Sequence, residues 1–408
     1  MDISFLLIFS GLILIGYLFE VLSPKTRIPN IIILLVLGML SQELVNRMGW
    51  ERPNFSSVVP VLGTVGLILI VLEGTLELKI TKEKLPLLTK TLALSLSSIM
   101  TLGLVLGAWF SFQGFGFKDS LLNAIPLSII SSAIAIPTAK MLSAKDKEFV
   151  IFESSLSDII GVTLFNYIII NEVISIKSVF VFLGEIGISI IFSLVGALGL
   201  TLILSRLNHR IKFMPIIMLI MFLYAVGKGF HLPALILILI FGLVVANIER
   251  ITQFRFLARF DPRNLIKEIH RFEEITTELT FVVRVSFFVI FGFTIDIPSL
   301  LDIDNLIISI LIFAMIVLLR ILQLLLLKLP VSPLAYVAPR GLITILLYVS
   351  IPASQMINTV NQTLITQVIL LTSLFMMGAT LFSKKEKPSD SSTITDKLDI
   401  LAPKEENN

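Results

Sequence analysis

Residues 303–328 read IDNLIISILIFAMIVLLRILQLLLLK, an apolar run interrupted by one internal arginine, Arg320. An α-helix needs about 20 mostly apolar residues to cross the roughly 30 Å of hydrocarbon in a bilayer. This run is long enough and has few charges, so it predicts a membrane-spanning helix. Its arginine cannot face lipid cheaply, and we therefore expect that arginine to have a partner inside the protein.

Runs of this kind recur along the whole chain. Counting residues 303–328 as span 11, the thirteen windows lie near 3–22, 28–45, 57–78, 87–113, 119–141, 148–170, 179–205, 213–228, 232–248, 275–297, 303–328, 331–353 and 361–382. The chain has 408 residues, of which 56% are hydrophobic and only 15% charged, whereas soluble domains are about a quarter charged. The predicted fold is therefore all-α: a polytopic membrane protein of about 13 transmembrane helices.

The basic residues of the loops predict an orientation. Cytoplasmic loops are enriched in Lys and Arg, and here most basic loop residues follow the odd-numbered spans. The N-terminus is therefore expected outside and the C-terminus in the cytoplasm, in a plasma membrane of the bacterial inner-membrane type. The basic loop at 249–274 predicts contact with membrane lipids and not with nucleic acid, and the polar tail at 383–408 is expected to be disordered.

Once the ionisable residues of the loops and those near the ends of the spans are set aside, six remain: Glu73, Glu153, Asp158, Arg284, Arg320 and Arg340. Each charge at mid-membrane costs about 2.5–3.5 kcal/mol on insertion scales, so such residues rarely lack a role. The chain has no cysteine, which excludes disulfides and thiolate metal sites. No cofactor is expected.

Span 6 carries the sequence FESSLSDIIG at 152–161, with two carboxylates. Residues three and four apart share a helix face, so Ser154 and Ser155 lie beside Asp158. Glu153 lies about 140° away around the helix. Asp158 with its hydroxyls predicts hard oxygen ligands for a small cation or a proton, although a fixed ion pair is the alternative. Glu153 is expected to pair with a buried arginine.

Prolines predict interruptions in two spans. Pro137 lies late in span 5 and Pro339 lies in span 12, and a proline removes a backbone donor from a helix. Spans 5 and 12 are seven apart, as expected for two inverted repeats, and interrupted helices at matching positions point to a transport site. The predicted transmembrane domain, residues 1–382, then divides into repeat 1 (about 1–171), a linker helix (179–205) and repeat 2 (about 213–382).

Five short motifs resemble those of NhaP-type sodium/proton antiporters, in the monovalent cation/proton antiporter superfamily. They are Glu153-Ser-Ser-Leu-Ser-Asp158, Ile136-Pro137-Thr138, Leu72-Glu73-Gly74-Thr75-Leu76-Glu77, Arg320 in span 11, and Pro339-Arg340-Gly341-Leu342. The thirteen spans and the outside N-terminus agree with that family. Two positions depart from the family pattern: Ser157 replaces an asparagine and Ala139 replaces an aspartate. These departures leave potassium open beside sodium.

The resemblance implies a homodimer in which spans 4–6 and 11–13 form a moving transport core. It implies that Asp158 binds a cation and a proton alternately. Asp158, Thr138 and Ser154 would be the ligands of the metal cation, with Glu73 completing the site. Glu153 would pair with Arg320 or Arg340. Arg284 is given no role by the resemblance. Three interpretations stay open for it: a pair with Glu73, a pair with a carboxylate near an entry funnel, or a structural ion pair at the dimer side.

The predicted function is secondary transport that exchanges Na⁺ or K⁺ for H⁺ by alternating access. One titratable carboxylate at the site, Asp158, favours an electroneutral 1:1 exchange. Two alternatives stay open: a partner-gated potassium efflux transporter and a non-transporting membrane sensor on the same fold. The chain contains no His-Glu-x-x-His or Gly-x-Ser-x-Gly motif, so an enzyme is not expected.

Overall fold

A computed structural model describes most of the chain. The described residues are 10–11, 13–19, 22, 30–49, 55, 58–76, 78, 81–139, 141–171, 176–206, 213–230, 232, 234–247 and 262–382. Within them lie thirteen α-helices: α1 (Asn30–Arg47), α2 (Val58–Leu76), α3 (Leu85–Phe112), α4 (Phe117–Ser128), α5 (Ser132–Ala139), α6 (Ala144–Ile170), α7 (Ile176–Arg206), α8 (Phe213–Gly229), α9 (Ala234–Ala246), α10 (Pro262–Phe293), α11 (Ile303–Leu326), α12 (Leu342–Ser350) and α13 (Gln362–Phe382).

The prediction of an all-α polytopic membrane fold is confirmed. Twelve of the thirteen predicted spans coincide with described helices, with α4 and α5 forming span 5. Six of the helical segments in the described part are long and apolar enough to cross a membrane. The first span at 3–22 is described only in part. Residues 249–261 of the basic loop and the tail at 383–408 lie outside the described residues, whereas residues 262–274 of that loop belong to α10. The division into repeats stays a prediction.

The helices pack in two groups. Helix α10 packs along α1 and α2, and α9 packs on α2, α7 and α8. In the second group α3 packs on α4, α6 and α11, while α5 lies on α6 and α11 lies on α13. The groups meet where α2 faces α5, α6 and α12. The mobile core expected from the family resemblance, spans 4–6 and 11–13, corresponds to this second group.

Two spans are interrupted at the same place in space. Helix α4 ends at Ser128, Ile129 is extended, and α5 begins at Ser132. Span 12 has a short 3₁₀ turn at Leu334–Tyr336, then non-helical residues up to Gly341 before α12 begins. The Ser131 amide donates a hydrogen bond of 2.9 Å to the carbonyl of Pro339. The two breaks are therefore in contact, and this bond satisfies one backbone group of each, as buried backbone in a membrane requires.

The break in span 5 does not lie at Pro137, which corrects the prediction. Pro137 is the sixth residue of α5 and lies within that helix. The break lies at residues whose amides find acceptors outside the helix: the Ile130 amide donates to Ser157 Oγ at 2.9 Å. Tertiary hydrogen bonds, and not the missing donor of a proline, interrupt this span. Pro339, by contrast, lies in the second break and supplies its carbonyl as an acceptor.

We expect Pro137→Ala to leave the break and the transport activity in place. Exchange rates in liposomes should stay within about twofold of wild type, and the melting temperature should be equal or higher because proline is unfavourable inside a helix. Dye-monitored proton exchange and scanning fluorimetry would measure both. A variant that folds but loses transport would show that Pro137 itself shapes the site.

Candidate functional site

Asp158 lies in the middle of α6 and is 1% exposed. Its Oδ2 accepts hydrogen bonds from the Ser132 amide at 3.3 Å and from the Ser132 hydroxyl. Ser132 is the first residue of α5, so the carboxylate lies at the N-terminal end of that helix. Free amides and the helix dipole favour a negative charge there. The break in span 5 thus creates the surroundings that hold Asp158.

Two oxygen atoms at this site make no hydrogen bond within the described part of the chain. Asp158 Oδ1 and Ser155 Oγ are both buried, and neither makes a hydrogen bond to any described residue. They lie three residues apart in α6 and so share one face. A buried carboxylate oxygen and a hydroxyl oxygen on one face can together hold a cation or a water. Both are hard oxygen ligands, of the kind that alkali and alkaline-earth cations prefer.

Helix α2 approaches this face closely. A Cβ at Gly74 would lie 3.1 Å from Ser155 Oγ, so the backbone of α2 stands directly against α6. Glu73 precedes this glycine and is half-buried. The approach brings the predicted site residue Glu73 to the same side of the bundle as Ser155.

Two other predicted ligands are placed differently. Ser154 donates its hydroxyl to the Val150 carbonyl at 2.8 Å, within its own helix. Thr138 is buried in α5 but lies six residues beyond Ser132, or about 9 Å along the helix axis. The described hydrogen bonds of Asp158 come from Ser132 and not from Thr138. The only signal of Ser132 in the sequence was the serine pair Ser131-Ser132 at the break.

Glu153 and Arg320 form a buried ion pair, each side chain being 2% exposed. Arg320 Nη2 donates to Glu153 Oε2 at 2.8 Å, Arg320 Nη1 contacts Oε1, and Nε donates to the Leu334 carbonyl at 3.2 Å. This two-pronged contact suits a planar guanidinium and a carboxylate. The pair joins α6 to α11 and keeps Glu153 engaged away from Asp158.

Arg340 does not pair with Glu153 in this way. Its Nε donates to the Leu127 carbonyl at 2.7 Å, Nη2 to the Ser128 carbonyl at 3.4 Å, and Nη1 to the Ala338 carbonyl. Leu127 and Ser128 are the last residues of α4, whose end carries partial negative charge. Arg340, which lies in the interruption of span 12, thus stabilises the C-terminal end of α4.

A cavity of about 450 Å³ leads to the site. It lies between α2, α5 and α10, and its lining includes Glu73, Ser132, Pro137, Glu278, Phe281 and Arg284. Ser132 connects the cavity to Asp158, because the same side chain lines the one and contacts the other. The cavity therefore ends one side chain away from the buried carboxylate.

Residues 10–383 match the sequence profile of a family described as the transmembrane sodium/hydrogen exchangers. The chain belongs to the sodium/hydrogen exchanger family. This confirms the family suggested by the motifs. Because members of this family are cation/proton transporters, the sodium/hydrogen exchanger described here is a transporter and not an enzyme.

Solved structures of similar fold come from the sodium proton antiporter MjNhaP1 of Methanocaldococcus jannaschii. One, determined at pH 8, is 18% identical with a TM-score of 0.66 and covers 92% of this chain and 94% of that one. A second, from electron microscopy, is 17% identical with a TM-score of 0.67 and covers both chains fully. A comparison with curated protein sequences finds no match. At these identities the likeness establishes the fold, which is that of an NhaP antiporter.

Proposed function

We propose that this exchanger trades one monovalent cation, Na⁺ or K⁺, for one proton, with Asp158 as the shared site. The observation that carries the proposal is the pair of buried, unpartnered oxygens, Asp158 Oδ1 and Ser155 Oγ, at the end of the cavity. A carboxylate that holds either a cation or a proton at this point couples the two flows by competition. The cation is the substrate, and the protein supplies its ligands.

The geometry around Asp158 supports a 1:1 stoichiometry. Glu153 is held by Arg320 in a two-pronged buried pair, so it is engaged as a structural carboxylate. Asp158 is then the one buried carboxylate in α6 left to exchange its partner. One exchangeable charge binds one proton or one monovalent cation, and the cycle carries no net charge.

The packing of the two helix groups supports alternating access. The cavity lies where α2 and α10 of one group face α5 of the other. A movement of the second group relative to the first would close this cavity and open the opposite side of Asp158. In the orientation given by the basic loops, with the N-terminus outside, the described cavity opens towards the cytoplasm. We also propose a plasma membrane of the bacterial inner-membrane type as its location.

A homodimer in contact with lipid completes the proposal. Helix α7 presents a row of exposed apolar side chains, including Phe180, Ile191 and Val195. Such a face is stable only against lipid or against another apolar protein surface. Helix α7 lies outside spans 4–6 and 11–13, which the resemblance implies as the moving transport core.

The two departures from the family motif bear on the cation. Ser157 accepts the Ile130 amide, which is a structural use of its hydroxyl. Ala139 is buried and supplies no side-chain oxygen. The site is thus built from few side-chain ligands, and backbone or water oxygens must complete the shell, which suits K⁺ as well as Na⁺.

The test is proton exchange in liposomes with an acidic lumen and a fluorescent pH dye. Sodium, lithium and potassium chloride would be added in turn, with choline chloride as control, at membrane potentials of 0 and about −100 mV. We expect at least one alkali cation to collapse the gradient, with a rate that changes less than about twofold with potential. One uncompensated charge would couple about 2.3 kcal/mol per 100 mV to the cycle.

Each result has a distinct meaning. A gradient that none of these cations collapses would contradict transport and favour the sensor alternative. Collapse that accelerates strongly with the potential would leave exchange intact but contradict the 1:1 stoichiometry.

A further inference from the structure

Arg284 in α10 has no part in the exchange as described so far. It is 7% exposed and lines the ion cavity together with the carboxylates of Glu73 and Glu278. A buried guanidinium in the wall of a cation cavity repels the substrate. Its position therefore needs a reason.

Arg284 lies at the deep end of that cavity. The neighbouring Val283 contacts α2: a Cβ at Gly66 would lie 3.4 Å from its side chain and 3.6 Å from that of Leu342, which opens α12. Arg284 is thus at the depth of the two breaks, where the cavity reaches Ser132. Glu278 lies six residues earlier, about 9 Å back along α10. A cation at this depth of the cavity therefore experiences the positive charge of the guanidinium.

Negative charges outnumber positive charges in and behind this cavity. Asp158, Glu73 and Glu278 supply three carboxylates, and Arg284 supplies one positive charge among the lining residues. Without the arginine, three carboxylates would form a strongly negative cavity with oxygen ligands. Such a cavity favours divalent ions such as Mg²⁺ and Ca²⁺ over alkali ions, because the attraction grows in proportion to the charge of the ion.

We propose that Arg284 is a charge filter: a fixed positive charge that weakens cation binding in the cavity and excludes divalent ions from the path to Asp158. The proposal rests on the proposed cation/proton exchange and deepens it by assigning the residue that selects for ion valence. The direction of the effect does not depend on which carboxylate the guanidinium contacts. Removing it adds one uncompensated negative charge to the cavity in either case.

The filter makes a quantitative prediction. The interaction between a fixed charge and an ion is proportional to the valence of the ion. If removal of Arg284 strengthens the binding of a monovalent ion by a certain factor, it should therefore strengthen the binding of a divalent ion by the square of that factor. If Arg284→Gln lowers the apparent KM for the transported alkali ion about fivefold, the constant for inhibition by Mg²⁺ should fall about 25-fold.

The experiment measures alkali-ion KM and inhibition by MgCl₂ in liposomes. It also measures stabilisation of the purified protein by NaCl, KCl and MgCl₂ in scanning fluorimetry. Arg284→Lys keeps the charge and should stay near wild type in both. Arg47→Gln removes the same charge at an exposed position paired with Glu43, and it should change neither constant. Arg284→Gln combined with Glu278→Gln restores the net charge of the wild-type cavity and should return both constants towards wild type.

The outcomes separate this proposal from the function it rests on. If wild type moves no protons on addition of any cation, the exchange proposal fails, while ion stabilisation still reports on Arg284. If wild type transports and Arg284→Gln leaves both constants within twofold, the filter is overturned. Equal factors for the alkali ion and Mg²⁺ also overturn it. A chain that folds only with an arginine at 284, and not with Lys or Gln, identifies a structural role and overturns it as well.

Discussion

Asp158→Asn abolishes cation-driven proton movement, with a loss in exchange rate of at least about a hundredfold. The amide is nearly the same size as the carboxylate, but it neither releases a proton nor carries a charge for a cation. Two unit charges 4 Å apart interact by about 4 kcal/mol at an effective dielectric constant near 20, which corresponds to roughly a thousandfold in binding. The measurement is the dye assay in liposomes with the transported alkali ion.

The same variant should fold normally. The amide oxygen can accept from the Ser132 amide as the carboxylate does, and a buried charge is removed. Its melting temperature should match or exceed that of wild type, while stabilisation by added alkali salt should disappear. Ser154→Ala is the matched control in the same turn of α6, since that hydroxyl is bonded to its own helix, and we expect it to keep most activity. An Asp158→Asn protein that still exchanges protons for cations would place the site elsewhere.

Arg320→Met destabilises the protein by about 3–5 kcal/mol, the usual cost of leaving one half of a buried ion pair uncompensated. Glu153 would remain as a buried carboxylate, and the Leu334 carbonyl would lose its donors. Because this pair joins α6 to α11, the loss should lower both the melting temperature and the yield of folded protein. Chemical or thermal unfolding in detergent would measure it.

A double variant tests the physical reason. Arg320→Met with Glu153→Leu removes both charges, and replacing a buried pair by apolar residues is often neutral or better. It should recover most of the stability lost in the single variant. Arg47→Met at the exposed end of α1 serves as control and should change stability by no more than about 0.5 kcal/mol. A single Arg320→Met variant as stable as wild type would contradict an ion pair that supports the fold.

The spans could be predicted because lipid leaves the backbone few choices. Only hydrogen-bonded helices or closed barrels cross a bilayer, so long apolar runs such as 303–328 fix the location of the helices. The same reasoning identified the charged residues inside spans as those with roles, and Glu153 and Arg320 indeed contact each other. Hydropathy was enough to locate the helices, and the cost of buried charge was enough to identify the charged residues with roles.

The shape of the site could not be predicted from local signals. Pro137 was the visible helix breaker, yet the break lies at 129–131, where Ser157 and Pro339 accept backbone amides from across the bundle. Because the break lies at 129–131 and not at Pro137, Ser132 and not Thr138 donates hydrogen bonds to Asp158. Such a choice depends on partners distant in sequence, and no property of residues 129–137 alone reveals them.

The contact between the two breaks also has a consequence for how the protein is made. The Ser131 amide finds its acceptor at Pro339, about 200 residues later in the chain. At a synthesis rate of about 5–20 residues per second, span 5 leaves the ribosome roughly 10–40 seconds before its partner exists. During that interval the amide has no acceptor from the second break, and an unsatisfied group in hydrocarbon costs several kcal/mol. We therefore expect span 5 to enter the membrane as a continuous or hydrated helix and to adopt its break only after the last spans have been inserted.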